Sequence, residues 1–159
     1  MATLNQEIIA ALSHLVRLNE ASELGFETAA EHAREPGVKY VLREFARQRA
    51  ASATELRAEI ELWGGAAMEQ PDPMAAFHRG WIDLKAGLTL GRDNIARVVL
   101  DECVRGENVA LRRYQQAQQE LLPETVQTLI QQHVVRRQAD YDKLCRMAAC
   151  GDEALLIRL

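Results

Sequence analysis

Apolar residues recur at intervals of three and four along most of the chain, which is the repeat of one face of an α-helix. This spacing predicts four long helices at about 4–34, 37–63, 94–121 and 124–149, with a shorter one at 73–89. Glycine or proline stands at or near the predicted ends, where neither favours continuation of a helix. Aromatic residues make up only 5% of the chain, fewer than packed β-sheets usually contain. The predicted fold class is therefore all-α.

The connection between the second and third long helices predicts how the helices are arranged. It spans about 28 residues, whereas neighbouring antiparallel helices usually join through about two to eight. The intervening helix at 73–89 would run roughly 25 Å at about 1.5 Å per residue, enough to return along the bundle. The third long helix would then start where the second starts and run parallel to it. Two helical hairpins joined by one long crossover form the ferritin-like four-helix bundle, here with an additional short crossover helix.

The chain is long enough for one domain with one core. Residues 1–151 are predicted to form the bundle, and residues 152–159 an apolar C-terminal tail. Exposed leucine and isoleucine side chains at a terminus commonly mark an interface between chains. The tail therefore predicts a homo-oligomer, with a dimer favoured.

Charge and hydropathy exclude several classes of partner. The net charge of −4 provides no basic face for phosphates, so no nucleic acid is expected. No apolar run approaches the roughly 20 residues of a membrane span, and the first residues lack the basic start of a signal peptide. We therefore expect a cytoplasmic protein that does not associate with a membrane. Because the common nucleotide, nucleophile and zinc-protease motifs are missing, the prediction leans away from an enzyme.

Four segments of the sequence are distinctive: LNQEIIA at 4–10, GFETAAEHA at 25–33, HRGWIDLK at 78–85 and RGENVALRRY at 105–114. Together they resemble an uncharacterised bacterial family of ferritin-like four-helix-bundle proteins. The resemblance covers nearly the whole chain and implies a ferritin-like fold in a family of unknown function. The chain departs from the family pattern at Asn108, where an acid is usual, and at Tyr141, where histidine and aspartate are usual.

Ferritin-like diiron proteins hold their metals with one glutamate from each of two helices and a Glu-x-x-His pair from each of the other two. None of the four histidines in this chain has a glutamate three residues before it. A complete diiron site of the usual type is therefore not expected, and no cofactor is predicted.

Polar residues nevertheless interrupt the inward face near the middle of each long helix. The predicted polar mid-bundle layer consists of Glu23, Arg49, Glu107, His133 and Arg137. Arginine does not deprotonate, so a buried arginine needs a carboxylate partner. The sequence thus predicts an Arg–Glu network in the place of a metal centre. If the helical phase differs, the same residues would instead form surface ion pairs worth about 0 to 1 kcal/mol each.

These observations favour a non-enzymatic helical bundle that acts through self-association or partner binding, and two alternatives stay open. The first is a degenerate diiron-carboxylate protein that binds iron or manganese, with ligands drawn from Glu23 or Glu27, Glu55, Glu107 and His133. The second is small-molecule binding at a surface of the crossover helix made by His78, Arg79 and Trp81. For Trp81, packing on the bundle is the competing interpretation.

Overall fold

The structure is a computed structural model that describes residues 3–67 and 95–156. It contains four α-helices: α1 (Leu4–His32), α2 (Pro36–Leu62), α3 (Ile95–Ala117) and α4 (Glu124–Leu156). No strand occurs in these two ranges, which confirms the all-α prediction. No helix within them is both long enough and apolar enough to cross a membrane. The predicted crossover helix at 73–89 lies outside the described residues.

The first two helices begin and end close to the predicted positions. Thr3 Oγ1 accepts from the Gln6 backbone N–H at 3.3 Å, and Gln6 Oε1 accepts from the Thr3 N–H at 2.8 Å. This capping box starts α1. α1 ends two residues early because Ala33 is extended, with ψ of 137°, ahead of the proline that opens α2. Gly64, with φ of 80°, follows the end of α2.

The ends of α3 and α4 differ from the prediction. After Ala117 the chain tightens, because the amides of Gln119 and Glu120 bond to carbonyls three residues earlier. Leu121, the last residue of the helix predicted at 94–121, consequently lies outside α3 and is 98% exposed. α4 passes through Gly151, where its end was expected, and reaches Leu156. A glycine inside a helix costs only about 1 kcal/mol relative to alanine, so it does not by itself end one. Residues 152–156 thus belong to α4, and 157–159 lie beyond the described chain.

Two apolar clusters occupy the two ends of the bundle. The first contains Phe26, Ala29, Leu42, Phe45, Val99, Cys103 and Leu144. The second contains Ile8, Leu12, Leu15, Leu56, Ile60, Tyr114, Val126 and Ile130. The first cluster joins the end of α1 to the starts of α2 and α3 and to the end of α4. α2 and α3 therefore run parallel, as the long connection predicted, and each is antiparallel to α1 and α4.

Candidate functional site

A layer of buried polar side chains separates the two apolar clusters. Its members come from all four helices, and each is at most 8% exposed: Asn19, Arg49, Glu107, Tyr114, His133, Arg137 and Asp140. We call these seven residues the polar layer. On α4, three of them continue the inward face that Ile130 begins and Leu144 resumes, at steps of three and four. The helical repeat itself therefore carries these polar groups into the interior.

Glu107 holds two arginines with one carboxylate oxygen. Its Oε1 accepts from Arg49 Nη2 at 3.1 Å and from Arg137 Nη1 at 2.8 Å. Arg49 Nη2 also donates to Asp140 Oδ2 at 2.5 Å. Burial, and then the charge of Arg137, lower the pKa of Arg49, while burial raises the pKa of Asp140. Two cations and two carboxylates thus connect α2, α3 and α4, and their formal charges cancel.

A chain of hydrogen bonds extends from Arg137 to His133 through α1 and α3. Arg137 Nη2 donates to Asn19 Oδ1 at 2.8 Å. Asn19 Nδ2 donates to the Leu15 carbonyl at 2.8 Å and to Tyr114 Oη at 2.5 Å. Tyr114 Oη lies 3.0 Å from His133 Nδ1. The Arg137 guanidinium also lies 4.8 Å from the centre of the Tyr114 ring, a cation–π contact. Every helix of the bundle therefore contributes to one connected network.

Glu55 links this network to the surface. His133 Nε2 lies 2.7 Å from Glu55 Oε2, and the Glu55 side chain is 40% exposed. Arg136 holds the same carboxylate with both terminal nitrogens, at 3.0 and 3.3 Å. Burial raises the pKa of Glu55, but the hydrogen bonds from Arg136 and His133 outweigh it and hold the pKa below its ordinary value. Glu55 is therefore an ionised acceptor at neutral pH.

Two atoms of the polar layer are buried without a hydrogen-bond partner among the described residues, Arg49 Nε and Glu107 Oε2.

Glu107 also lines a groove of about 310 Å³ between α1 and α3. The groove passes small residues of α1, including Ala21 and Gly25, and reaches Cys103. Burial raises the pKa of the Cys103 thiol to about 12, so it stays protonated and is a poor nucleophile.

The alternative set of metal ligands does not converge. Glu27 lies on the exposed surface of α1. Glu55 forms a hydrogen bond with His133 and a salt bridge with Arg136. Glu107 Oε1 is shared by two guanidinium groups, which do not deprotonate and would repel a metal cation. Within residues 3–67 and 95–156, no group of three or more His, Cys, Asp or Glu side chains could hold a metal ion. These residues do not fit a diiron centre.

The structure brings together four of the five residues predicted for the layer and replaces the fifth. Glu23, predicted as a partner of the arginines, lies outside the layer, beside Glu20 and Glu27, where partial burial and these two charges raise its pKa. Asn19, one turn earlier on α1, takes its place. Asp140, which binds Arg49, was not among the predicted residues. Its spacing of three from Arg137, on the same side of the helix, was the available signal.

The three residues predicted as a ligand surface, His78, Arg79 and Trp81, lie outside the described residues. The structure therefore does not place them relative to the polar layer. The prediction that rests on them stays a prediction.

Comparison with known proteins identifies a family over most of the chain. Residues 7–120 match the family described as a domain of unknown function, DUF2383. None of the curated proteins matches the chain. The matched range includes the polar-layer residues of α1, α2 and α3, while those of α4 follow it. The predicted membership of an uncharacterised family is thereby confirmed: the chain belongs to the DUF2383 family.

Proposed function

We propose that this chain is a ferritin-like bundle without enzymatic activity, in which an Arg–Glu network replaces a diiron centre and the surface acts through self-association or partner binding. The parallel course of α2 and α3, with a long connection between them, supports the ferritin-like arrangement. The buried polar groups near the middle of the bundle support the replacement, because related folds place their metals between the facing helices there.

The way in which Glu107 is used carries this proposal. A carboxylate prepared for a metal directs its oxygens towards a common point with other ligands, which must be free to coordinate. Here one oxygen of Glu107 is held by Arg49 and Arg137, and the histidine of the layer is occupied at both ring nitrogens. The formal charges of the layer balance, although Arg49 Nε and Glu107 Oε2 have no hydrogen-bond partner among the described residues, and the network holds four helices in one register. Its role is structural specificity, which buried polar groups supply in some bundles.

Metal analysis tests the replacement of the diiron centre. Protein expressed in medium supplemented with iron and manganese, and purified without chelator, is expected to contain far less than one metal ion per chain. Elemental analysis by mass spectrometry gives this ratio. A ratio near one or two that falls in Glu107→Ala, but not in the surface variant Glu102→Ala, would instead establish the degenerate diiron-carboxylate alternative.

Exposed leucines support self-association. Leu4, Leu62 and Leu121 are 60%, 81% and 98% exposed. All three lie at the same end of the bundle, where α1 begins and α2 and α3 end. Exposed apolar side chains that share one end of a bundle favour an interface, because association would remove them from water. We therefore propose a homodimer that uses this end.

Light scattering tests the dimer. The wild-type chain is expected to have the mass of two chains, and the double variant Leu62→Ser/Leu121→Ser is expected to move towards the mass of one. Tyr40→Ser is the matched control, because Tyr40 is 72% exposed but lies at the opposite end of the bundle. A monomeric wild-type chain, or a double variant that keeps the wild-type mass, would show that this end of the bundle does not form a dimer interface.

A further inference from the structure

The hydrogen bonds around His133 permit one arrangement of protons when its imidazole is neutral. The Arg137 guanidinium can only donate hydrogen bonds, so Asn19 must present its oxygen to Arg137. The amide N–H groups of Asn19 therefore face the Leu15 carbonyl and Tyr114. Tyr114 Oη therefore accepts from Asn19 and has one O–H left to donate. The acceptor that it reaches is His133 Nδ1, at 3.0 Å. His133 must then carry its single proton on Nε2, which donates to Glu55 Oε2 at 2.7 Å.

We propose that His133 is a proton-operated latch between the two sides of the bundle. A proton added to Nδ1 turns that nitrogen from an acceptor into a donor, so the Tyr114 hydroxyl must turn its own proton away from His133 and can only accept there. The Tyr114 hydroxyl then loses the acceptor for its proton, because Asn19 faces it with the amide nitrogen, which is a donor. Acidification thus weakens the link from His133 to Tyr114 on α3, and through Tyr114 to Asn19 on α1, while the bond from His133 to Glu55 on α2 is kept and strengthened.

The groups that face His133 decide at which pH the latch opens. α2 presents the carboxylate of Glu55, α3 presents Tyr114, α4 itself carries Arg136 and Arg137, and α1 contributes the uncharged Asn19. Burial is the largest influence and lowers the pKa of His133, Glu55 raises it, and the two arginines lower it further. The resulting pKa lies below the ordinary value of a histidine. Burial also keeps Tyr114 protonated, since it raises the pKa of that phenol.

The effect on stability follows from linkage. A histidine whose pKa is lower in the folded chain binds its proton more readily in the unfolded chain. Its contribution to stability is complete above the unfolded pKa and is lost as the pH falls towards the folded pKa. The bundle is therefore expected to weaken between about pH 7 and about pH 5, on account of this residue.

Long-range ¹H–¹⁵N spectra of the imidazole rings test the latch in the full chain. His133 is expected to show the Nε2–H tautomer at neutral pH and to titrate at a lower pH than the histidines of the urea-unfolded protein. In Tyr114→Phe, which keeps the ring beside Arg137, Nδ1 loses its donor, so the titration should move upwards by about half a unit to one unit. Tyr40→Phe, on the exposed surface, should leave it unchanged.

Thermal unfolding gives a second and independent readout. His133→Asn keeps an acceptor near Nδ1 but does not titrate, so its melting temperature should fall less than that of the wild type between about pH 7 and about pH 5. His14→Asn measures the share of another histidine whose pKa is lowered by partial burial, and, since His14 lies outside the polar layer, this variant should keep the part of the pH dependence that belongs to His133. An Nδ1–H tautomer, or a His133 titration unmoved by Tyr114→Phe, would overturn the proposal. If His133→Asn does not fold, the spectra of the wild type and Tyr114→Phe still decide it.

Discussion

The Glu107→Ala variant is expected to lose about 3 to 5 kcal/mol of its free energy of unfolding. The reason is that Glu107 is the carboxylate shared by Arg49 and Arg137, and all three side chains are only 1% exposed. Among the described residues, its removal leaves Arg137 with no carboxylate partner and leaves Arg49 with Asp140 alone. Since a domain of this size is stable by only about 5 to 15 kcal/mol, urea denaturation should reveal a large fall in the midpoint.

Two further variants separate charge, hydrogen bonding and surface effects. Glu102→Ala removes a glutamate from the same helix, but Glu102 pairs with the largely exposed Arg105, so a loss of only about 0 to 1 kcal/mol is expected. Glu107→Gln keeps an oxygen that accepts from both arginines while removing the charge, and its loss should fall between the other two. Equal losses for Glu107→Ala and Glu102→Ala would show that the polar layer does not contribute to stability as an ion-pair network.

Leu12→Ala is expected to cost about 2 to 5 kcal/mol, the usual range for deleting a fully buried leucine side chain. Leu12 is 0% exposed within the second apolar cluster, beside residues of the other three helices. Its truncation removes apolar burial and leaves a cavity that rigid neighbouring helices fill only partly. Denaturant titration followed by circular dichroism measures the loss, and the slope against denaturant should stay unchanged.

Leu24→Ala is the matched control for this change. It makes the same chemical substitution in the same helix, but Leu24 is 38% exposed and lies outside both clusters. A much smaller loss is expected, because its removal opens no enclosed cavity. If the two leucine variants were equally destabilised, the orientation assigned to α1 would be incorrect.

The helical repeat predicted most of the fold and most of the polar layer. Because successive residues are turned by a constant angle around a helix, apolar spacing alone indicates which face points inward. Arg49, Glu107, His133 and Arg137 occupy such positions, and the structure buries all four. The parallel course of α2 and α3 was predictable as well, since a short turn cannot join two parallel neighbours.

The partners within the layer could not be read from spacing. Asn19 and Glu23 stand one turn apart on α1, and the choice between them depends on how far α1 lies from Arg137, which no single helix determines. Asp140 and Tyr141 are neighbours turned by about 100° from each other, so a small change in helix phase exchanges them. The contacts between helices could therefore be identified only from the structure, whereas the inward face of each helix could be predicted from the sequence.

The ends of the helices were also predicted poorly from local sequence signals such as glycine and proline. Gly151 was expected to end α4, but a glycine followed by helix-compatible residues reduces helix stability without forbidding continuation. Leu121 fitted the repeat of α3 yet lies beyond its end, because α3 ends at Ala117 and the chain then tightens into turns with hydrogen bonds to carbonyls three residues earlier. A residue can thus keep the apolar repeat of a helix after the helix itself has ended.

The position of the polar layer divides the interior into two separate apolar compartments, one at each end of the bundle. Hydrophobic packing is short-ranged, so packing changes in one compartment do not act directly on the other. Cooperativity between the two halves must therefore pass through the ion pairs and hydrogen bonds of the layer, together with the continuous helices. In the language of native-state hydrogen exchange, the layer marks the boundary between two potential foldons, and its strength sets whether they open together or one at a time.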